Sequence, residues 1–407
     1  MRFHRNISFA VIDALLAIFN EGEYADKVVA RALKLDKRWG SNDRKFVAET
    51  IYDIVRWKRL YSEIAEVNET NYSRDNVWRL FAVWAVLRGY TLPDWKYFEH
   101  TPVRRIKGKF DELSKTRKIR ESIPDWIDDL AVTELGEKIW EKEIKAQNEQ
   151  AKVILRVNTL KTSKEKLQLL LKDTYQIETE TLNDYNDALV LKERANVFMT
   201  DAFKNGLFEV QDASSQLVAK LLDVQPGMRV VDACAGAGGK ALHIASLLEN
   251  KGQIIAMDLY ESKLKQLKLR AKRNGVHNIE TRVIESTKTI KKLHEKADRV
   301  LIDAPCSGLG VLKRNPDSKW KLKPEFIENI KKTQQEVLEN YSKIVKPGGK
   351  LVYATCSILP SENEKQVQKF LQTDSGKNFT FVEDKKVLAH ESGFDGFYMA
   401  LLERKNN

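Results

Sequence analysis

The sequence predicts an α/β protein in which a doubly wound sheet follows a small α/β segment and an all-helical domain. From Met228 onward, short apolar runs alternate regularly with helical patterns, as is typical of parallel strands joined by crossover helices. Residues 1–90 instead carry apolar residues at helical spacing, and residues 151–205 mix short strand-like runs with one helix. The expected domains are residues 1–148, 149–205 and 206–407.

The helical domain is predicted from three strong amphipathic patterns. Ile7, Val11, Leu15 and Ile18 share one helical face, and Gly22 follows as a stop. A second helix, capped by Asn42 or Asp43, is expected to carry the apolar residues from Phe46 to Val55, and a third is expected to run from Val77 to Gly89. A further helix is expected to begin near Asp125 and continue to about Gln147. These patterns favour a helical bundle.

The later strands follow one another at spacings that suit a parallel sheet. They are predicted near residues 229–233, 253–257, 279–284, 299–303 and 350–355, with late candidates at 379–382 and 396–401. Earlier strands are predicted at 153–157 and 188–191, on either side of a helix at 162–172. Ser361-Glu-Asn-Glu364 reads as a capping box that opens a helix.

Composition and charge narrow the class of protein. The 407 residues are 42% hydrophobic and 31% charged, the balance of a globular chain. Without an apolar run of roughly 18 residues or a signal-peptide pattern, we expect a cytoplasmic protein that does not associate with membranes. Three cysteines without CxxC spacing predict neither a disulfide framework nor a metal site.

The basic excess favours a polyanionic partner. The net charge is +11, and residues 102–120 contain eight basic residues and two acidic ones. This run is either a phosphate-contacting stripe or a solvated linker. A merely soluble basic surface would account for the charge equally well.

Polar and reactive side chains stand just past the predicted buried strands. Asp303 and Cys306 follow one strand, and Cys356 follows another. In an open parallel sheet, ligands bind beyond the carboxyl ends of the strands, so these three side chains are expected to face one crevice. A buried cysteine is often only a small core residue, an interpretation that we favour for the thiol of Cys234.

A glycine-rich loop follows the first strand of the sheet. Gly236-x-Gly238-x-x-Ala241 fits the tolerant form of the dinucleotide fingerprint, and Asp258 lies at the end of the next strand, where an acid holds a ribose. A P-loop is excluded because Ala241 stands where it needs Ser or Thr. The loop predicts an adenosine-type cofactor, which leaves S-adenosylmethionine and NAD both open.

The chain resembles the Sun/Fmu, RsmB-like family of RNA 5-methylcytosine methyltransferases of the 16S rRNA type. The matching motifs are DACAGAGGK (232–240), Asp258, DAPCSG (303–308) and ATCS (354–357), with RVNT (156–159) and VQDAS (210–214) ahead of them. The resemblance implies a Rossmann-like S-adenosylmethionine-dependent methyltransferase domain behind a NusB-like RNA-binding domain. It covers nearly the whole chain, most specifically at the two cysteine motifs.

The resemblance also assigns roles to the residues. It implies that Cys356 attacks C6 of cytosine, Asp303 contacts the base and Cys306 helps to release the product, while Lys240 would lower the pKa of the reactive thiol. The residues implied for S-adenosyl-L-methionine are Cys234, Ala235, Gly236, Ala237, Gly238, Gly239, Lys240, Asp258, Glu285 and Asp303. Glu285 stands where the family commonly has an aspartate facing the adenine.

The expected reaction is therefore methylation of cytosine C5 in RNA, most simply 16S rRNA, by a monomer that needs no metal. The same chemistry on tRNA is one alternative. An NAD-dependent enzyme with a cysteine nucleophile is a second, and a non-catalytic NusB-like RNA-binding factor is a third.

Overall fold

The computed structural model describes residues 3–68 and 70–406 and divides the chain into two compact units. The first unit runs to Glu149 and includes the separate segment Leu312–Lys323. The second contains Gln150–Val311 and the residues from Pro324 onward.

Helices and strands are numbered in chain order. The helices are α1 (Arg5–Asn20), α2 (Ala25–Ala32), α3 (Ser41–Arg56), α4 (Lys58–Ala65), α5 (Arg74–Leu87), α6 (Val103–Leu113), α7 (Arg117–Arg120), α8 (Asp125–Leu135), α9 (Glu137–Gln147), α10 (Lys164–Tyr175), α11 (Asp201–Lys204), α12 (Ala213–Leu221), α13 (Gly239–Leu247), α14 (Glu261–Asn274), α15 (Thr287–Lys291), α16 (Ser318–Lys321), α17 (Pro324–Tyr341), α18 (Glu364–Leu371) and α19 (Ala389–Ser392). The strands are β1 (Ile154–Val157), β2 (Thr179–Leu182), β3 (Tyr185–Leu191), β4 (Phe208–Val210), β5 (Arg229–Asp232), β6 (Gln253–Asp258), β7 (Ile279–Val283), β8 (Ala297–Asp303), β9 (Val345–Thr355), β10 (Phe379–Val387) and β11 (Phe397–Arg404).

The first unit is helical, as the sequence predicts. Its core forms around α5, which begins where the Ser73 hydroxyl accepts a hydrogen bond from the Asn76 amide. Phe81 and Trp84 on this helix are buried among other aromatic rings, among them Phe3. Such edge-on ring contacts stabilise the core beyond the contribution of the apolar area that is buried.

The segment Leu312–Lys323 belongs to the helical unit although the sequence places it within the last domain. The Arg56 guanidinium donates to the Lys313 carbonyl at 2.7 Å, and the Trp320 indole donates to the Val55 carbonyl at 2.7 Å. These are contacts across more than 250 positions of sequence, which no local pattern could reveal.

Most of the basic side chains in residues 102–120 form ion pairs with acidic side chains of the same unit. Its members with acidic partners are Arg105, Lys109, Arg117, Lys118 and Arg120. Within the described part of the chain, the exposed members without an ion pair are Arg104, Lys107 and Lys115. This smaller group carries charge that no acidic side chain in the described part of the chain offsets.

The second unit begins with an antiparallel four-stranded sheet in the order β2-β3-β1-β4. The edge strand β4 pairs with β1, with Leu155 opposite Val210. This sheet therefore extends to Val210, past the boundary predicted at residue 206. A strand of three residues has too few positions to show an alternating pattern.

The main sheet has seven strands in the order β10-β11-β9-β8-β5-β6-β7. Strands β9, β8, β5, β6 and β7 are parallel, while β11 and β10 add antiparallel strands at one edge. The strand order reverses beside β5, and this is the switch point at which open α/β sheets bind ligands. The predicted Rossmann-like α/β fold is confirmed.

Two local predictions were wrong. The helix expected over residues 125–147 is divided into α8 and α9 at Gly136, whose φ of +80° a helix cannot continue. The capping box at 361–364 does not form, because α18 begins at Glu364 and the Asn363 side chain makes no cap bond. Glu362 and Asn363 are buried and serve the site described below.

Candidate active site

The glycine loop between β5 and α13 requires glycine at two positions. Gly236 and Gly238 have φ values of +54° and +87°. A Cβ at Gly238 would lie 2.5 Å from the Leu267 Cγ, whereas one at Gly236 would meet no atom within 4 Å. The loop is therefore packed tightly on one side and faces open space on the other.

Asp258 holds this loop in place. Its carboxylate accepts hydrogen bonds from the Gly236 amide at 2.9 Å and from the Tyr260 amide at 2.8 Å. The last residue of β7, Val283, pairs with Asp258. Glu285 lies two residues beyond it, and the Glu285 side chain is exposed. The sequence predicts that Asp258 binds a ribose. The structure shows that its carboxylate also anchors the backbone of the loop.

Asp232, at the end of β5, is a site feature that the sequence did not single out as a functional residue. Its side chain is buried, and neither carboxyl oxygen has a hydrogen-bond partner among the described residues. Burial, with the nearby Asp303 carboxylate, raises the pKa of Asp232 to about 7. A buried carboxyl of this kind beside an open loop is a candidate contact for a polar ligand.

Arg156 ties the glycine loop to the preceding sheet. This buried side chain on β1 donates to the Gly239 carbonyl at 2.5 Å and to the Gln211 side-chain oxygen. Burial lowers the pKa of Arg156 to about 10. The RVNT and VQDAS motifs thus act together, since one supplies Arg156 and the other supplies Gln211.

The predicted catalytic side chains meet at the ends of β8 and β9. The Sγ atoms of Cys306 and Cys356 are 3.2 Å apart, and we call these two residues the thiol pair. The Lys240 Nζ donates to the Asp303 carboxylate at 2.5 Å and lies over the Phe397 ring. Although burial opposes it, the Asp303 charge raises the pKa of Lys240, so this side chain remains a cation.

Glu362 is the main residue that sequence reasoning missed. It is fully buried, and its carboxylate accepts hydrogen bonds from Ser307 and Ser357, the residues that follow the two cysteines. Glu362 lies within the Ser361–Glu364 sequence, whose pattern of residues is also that of a helix capping box. Only the fold shows that this carboxylate instead binds the serines that follow the two cysteines.

Close backbone contact completes the site behind Cys356. The Gly310 amide donates to the Cys356 carbonyl at 2.9 Å, and the Gly396 amide donates to the Gly310 carbonyl at 2.7 Å. A Cβ at Gly310 would lie 2.2 Å from the Gly396 carbonyl oxygen. The loop that carries Cys306 is therefore locked against the loop that carries Cys356.

None of the helices in residues 3–68 and 70–406 is long and apolar enough to cross a bilayer. Within the same ranges, no group of three or more His, Cys, Asp or Glu side chains is placed to hold a metal ion.

Comparison with known proteins assigns the family. Residues 219–403 match the 16S rRNA methyltransferase RsmB/F family, and residues 123–198 match the ferredoxin-like domain of RsmF/B-like methyltransferases. A probable ribosomal RNA small subunit methyltransferase B of Bacillus subtilis (strain 168) is 34% identical over 301 residues, which is 70% of this chain and 67% of the relative.

Further relatives support this assignment. The ribosomal RNA small subunit methyltransferase B of Vibrio vulnificus (strain YJ016) is 32% identical over 310 residues, covering 74% of this chain and 71% of its own length. The crystal structure of PH0851 is 26% identical with a TM-score of 0.83 and covers 99% of this chain and 100% of its own. The chain therefore belongs to the 16S rRNA methyltransferase RsmB/F family and is an enzyme of the RNA methyltransferase class.

Proposed function

We propose that the protein transfers a methyl group from S-adenosyl-L-methionine to C5 of a cytosine in RNA, through a covalent bond between Cys356 and C6 of the base. The observation that carries this proposal is the thiol pair, whose sulfurs are 3.2 Å apart beside the Lys240–Asp303 ion pair. A methyltransferase that acted on a more nucleophilic atom would need no thiol at this place.

The residues around the glycine loop fit the proposed cofactor. Open space at Gly236 leaves room for a ligand, and Asp232 supplies a buried carboxyl without a protein partner. Each oxygen of Asp258 accepts one backbone hydrogen bond and keeps a second lone pair for a ribose hydroxyl. When bound, S-adenosyl-L-methionine supplies an electrophilic methyl group.

C5 of cytosine is too poor a nucleophile to take up a methyl group directly. Addition of the Cys356 thiolate to C6 forms a C–S bond and moves the electron pair to C5, which becomes an enamine-like carbon. The Asp303 carboxyl is partly exposed and can contact the base, while Lys240 balances negative charge in the crevice. C5 can then accept the methyl group.

Cys306 serves the second half of the reaction. After methylation, the C5 proton passes to the Cys306 sulfur, the electron pair restores the C5–C6 double bond and the C6–S bond breaks. Cys356 then leaves as a thiolate, so the two sulfurs end the cycle with one proton between them.

The proposed substrate is 16S rRNA, because the named relatives are small-subunit rRNA methyltransferases. The exposed cations Arg104, Lys107 and Lys115 on the helical unit offer phosphate contacts. Bisulfite mapping of ribosomal and transfer RNA from a deletion strain tests this choice. A lost signal in 16S rRNA supports it, whereas a signal lost only from tRNA assigns the same chemistry to the other substrate.

The thiol roles are tested by single substitutions. Cys306→Ala should form the covalent RNA adduct and then stall, because elimination lacks its proton acceptor. Cys356→Ala should form no adduct but should still bind RNA. Denaturing gels of each variant and of the wild type with RNA and S-adenosyl-L-methionine separate the outcomes as a slow band. The reverse pattern would exchange the roles, and no adduct from either variant would contradict the mechanism.

A further inference from the structure

We propose that Glu362 is a positioning residue that fixes the separation of the thiol pair and makes its two members unequal, by keeping Cys306 as the neutral hydrogen donor to Cys356. The inference rests on the proposed function for the roles of the two sulfurs in the reaction. The placement of Glu362 rests on contacts alone.

The Glu362 carboxylate joins both cysteine loops from behind. One oxygen accepts from the Ser307 hydroxyl at 2.5 Å and from the Ser357 hydroxyl at 2.6 Å. The other accepts from the Ser307 backbone amide at 2.8 Å and from the Gln334 side-chain amide at 3.0 Å. A buried carboxylate is costly unless it is so satisfied, and here all four donors come from the site itself.

These contacts constrain the two sulfurs through the backbone, because Ser307 and Ser357 each follow a cysteine in sequence. The Glu362 carbonyl also accepts from the Tyr353 hydroxyl at 2.7 Å, and its neighbour Asn363 donates to the Ser357 carbonyl at 3.0 Å. The position of Glu362 is therefore itself fixed. Its carboxylate provides one rigid point to which both loops are attached.

The charges around the thiol pair are arranged asymmetrically. The hydrogen bond with Cys356, burial and the Glu362 charge together raise the pKa of the Cys306 thiol. The neighbouring Tyr353 stays neutral, since burial raises its pKa well above the ordinary value. The Lys240 cation, paired with Asp303, interacts favourably with a negative charge on Cys356. Burial and the nearby Glu362 carboxylate therefore keep Cys306 protonated, so that it is the donor in its hydrogen bond with Cys356.

This arrangement sets the order of proton transfers. Before addition, the Cys306 S–H group donates a hydrogen bond to the Cys356 thiolate and holds it in place. Once Cys356 is bonded to C6, the pair no longer carries that negative charge, and Cys306 can lose its proton to solvent. The resulting Cys306 thiolate is then the base that takes the C5 proton.

The charge is tested on the free protein, without RNA or cofactor. Alkylation of each cysteine by iodoacetamide is followed against pH by mass spectrometry in wild type, Glu362→Gln and the control Glu364→Gln. Loss of the charge should shift the Cys306 profile to lower pH and raise its labelling at neutral pH several-fold, while the control matches wild type. Profiles for Cys306 that coincide in wild type and Glu362→Gln would overturn the proposal.

The attachment is tested by Ser357→Ala, which keeps the charge but removes one contact. Diamide should form the Cys306–Cys356 disulfide several-fold more slowly in this variant, while the pH profile of Cys306 alkylation stays that of wild type. An unchanged rate of disulfide formation would overturn the positioning role, including in the case that Glu362→Gln does not fold. Both assays report on Glu362 even if the RNA adduct never forms, so they fail independently of the proposed function.

Discussion

Arg156→Met removes the guanidinium that holds the glycine loop while keeping an apolar side chain of comparable length. Arg156 donates to the Gly239 carbonyl and the Gln211 side-chain oxygen, and it is 1% exposed. The variant leaves both acceptors without this donor. We therefore expect losses in stability and in cofactor affinity together.

The magnitude follows from the two hydrogen bonds. Each bond from a charged group contributes about 1.5–3 kcal/mol, so their loss costs about 3–6 kcal/mol. Part of this cost is offset, because the variant no longer has to bury a charge. The Arg156 Nε makes no hydrogen bond among the described residues, so its removal costs none. A net loss of about 3 kcal/mol remains, which lowers the melting temperature of a unit of this size by about 6–12 °C.

Thermal unfolding followed by circular dichroism measures the loss of stability, and calorimetry with S-adenosyl-L-methionine measures the affinity. Arg282→Met is the matched control, because the Arg282–Glu280 ion pair is partly exposed and contributes no more than about 1 kcal/mol. A melting temperature for Arg156→Met equal to that of the control, together with unchanged affinity, would refute the anchoring role.

Three further predictions concern pH, the ribose contact and RNA. Burial lowers the pKa of His243 to about 4 from 6.5, so its stabilisation is present above pH 6.5 and is lost as the pH falls to about 4. His243→Gln should therefore remove up to about 3 kcal/mol of acid-dependent stability, measured by urea unfolding at several pH values, and an unaltered pH dependence would contradict this. Asp258→Ala should weaken S-adenosyl-L-methionine binding by about 1.5–3 kcal/mol in calorimetry, and unchanged affinity would remove its assignment to the ribose. Joint alanine substitution of Arg104, Lys107 and Lys115 should make the slope of log affinity for RNA against log salt concentration less steep. The slope should change by up to about 0.9 for each phosphate that the variant no longer neutralises. An unchanged slope would exclude these side chains from the RNA-binding surface.

The strands of the main sheet could be predicted because each is a short buried run that ends in turn residues. The run before Asp303 and the run before Cys356 were located within a few residues of β8 and β9. Their burial on both faces forces apolar residues at every position, which is a signal carried by consecutive residues. The same property placed Asp303, Cys306 and Cys356 at one edge of the sheet.

Contacts between distant parts of the chain were beyond any local pattern. Two examples are the attachment of Leu312–Lys323 to the helical unit and the hydrogen bond from Arg156 to Gly239. In both, nothing in the local sequence of one partner indicates the other. The Ser361–Glu364 sequence was even misleading, because the residues that suit a helix cap also suit a buried hydrogen-bonded cluster.

By itself, the sequence determined the α/β fold class, the glycine loop and the two cysteines that end in one crevice. These follow from periodicity, from the conformations that glycine permits and from the geometry of parallel strands. Only the tertiary structure decided that Glu362 lies against the serines that follow the two cysteines and that Lys240 lies beside Asp303. Charge acts through space at a few ångströms, and those distances are set by folding rather than by position along the chain.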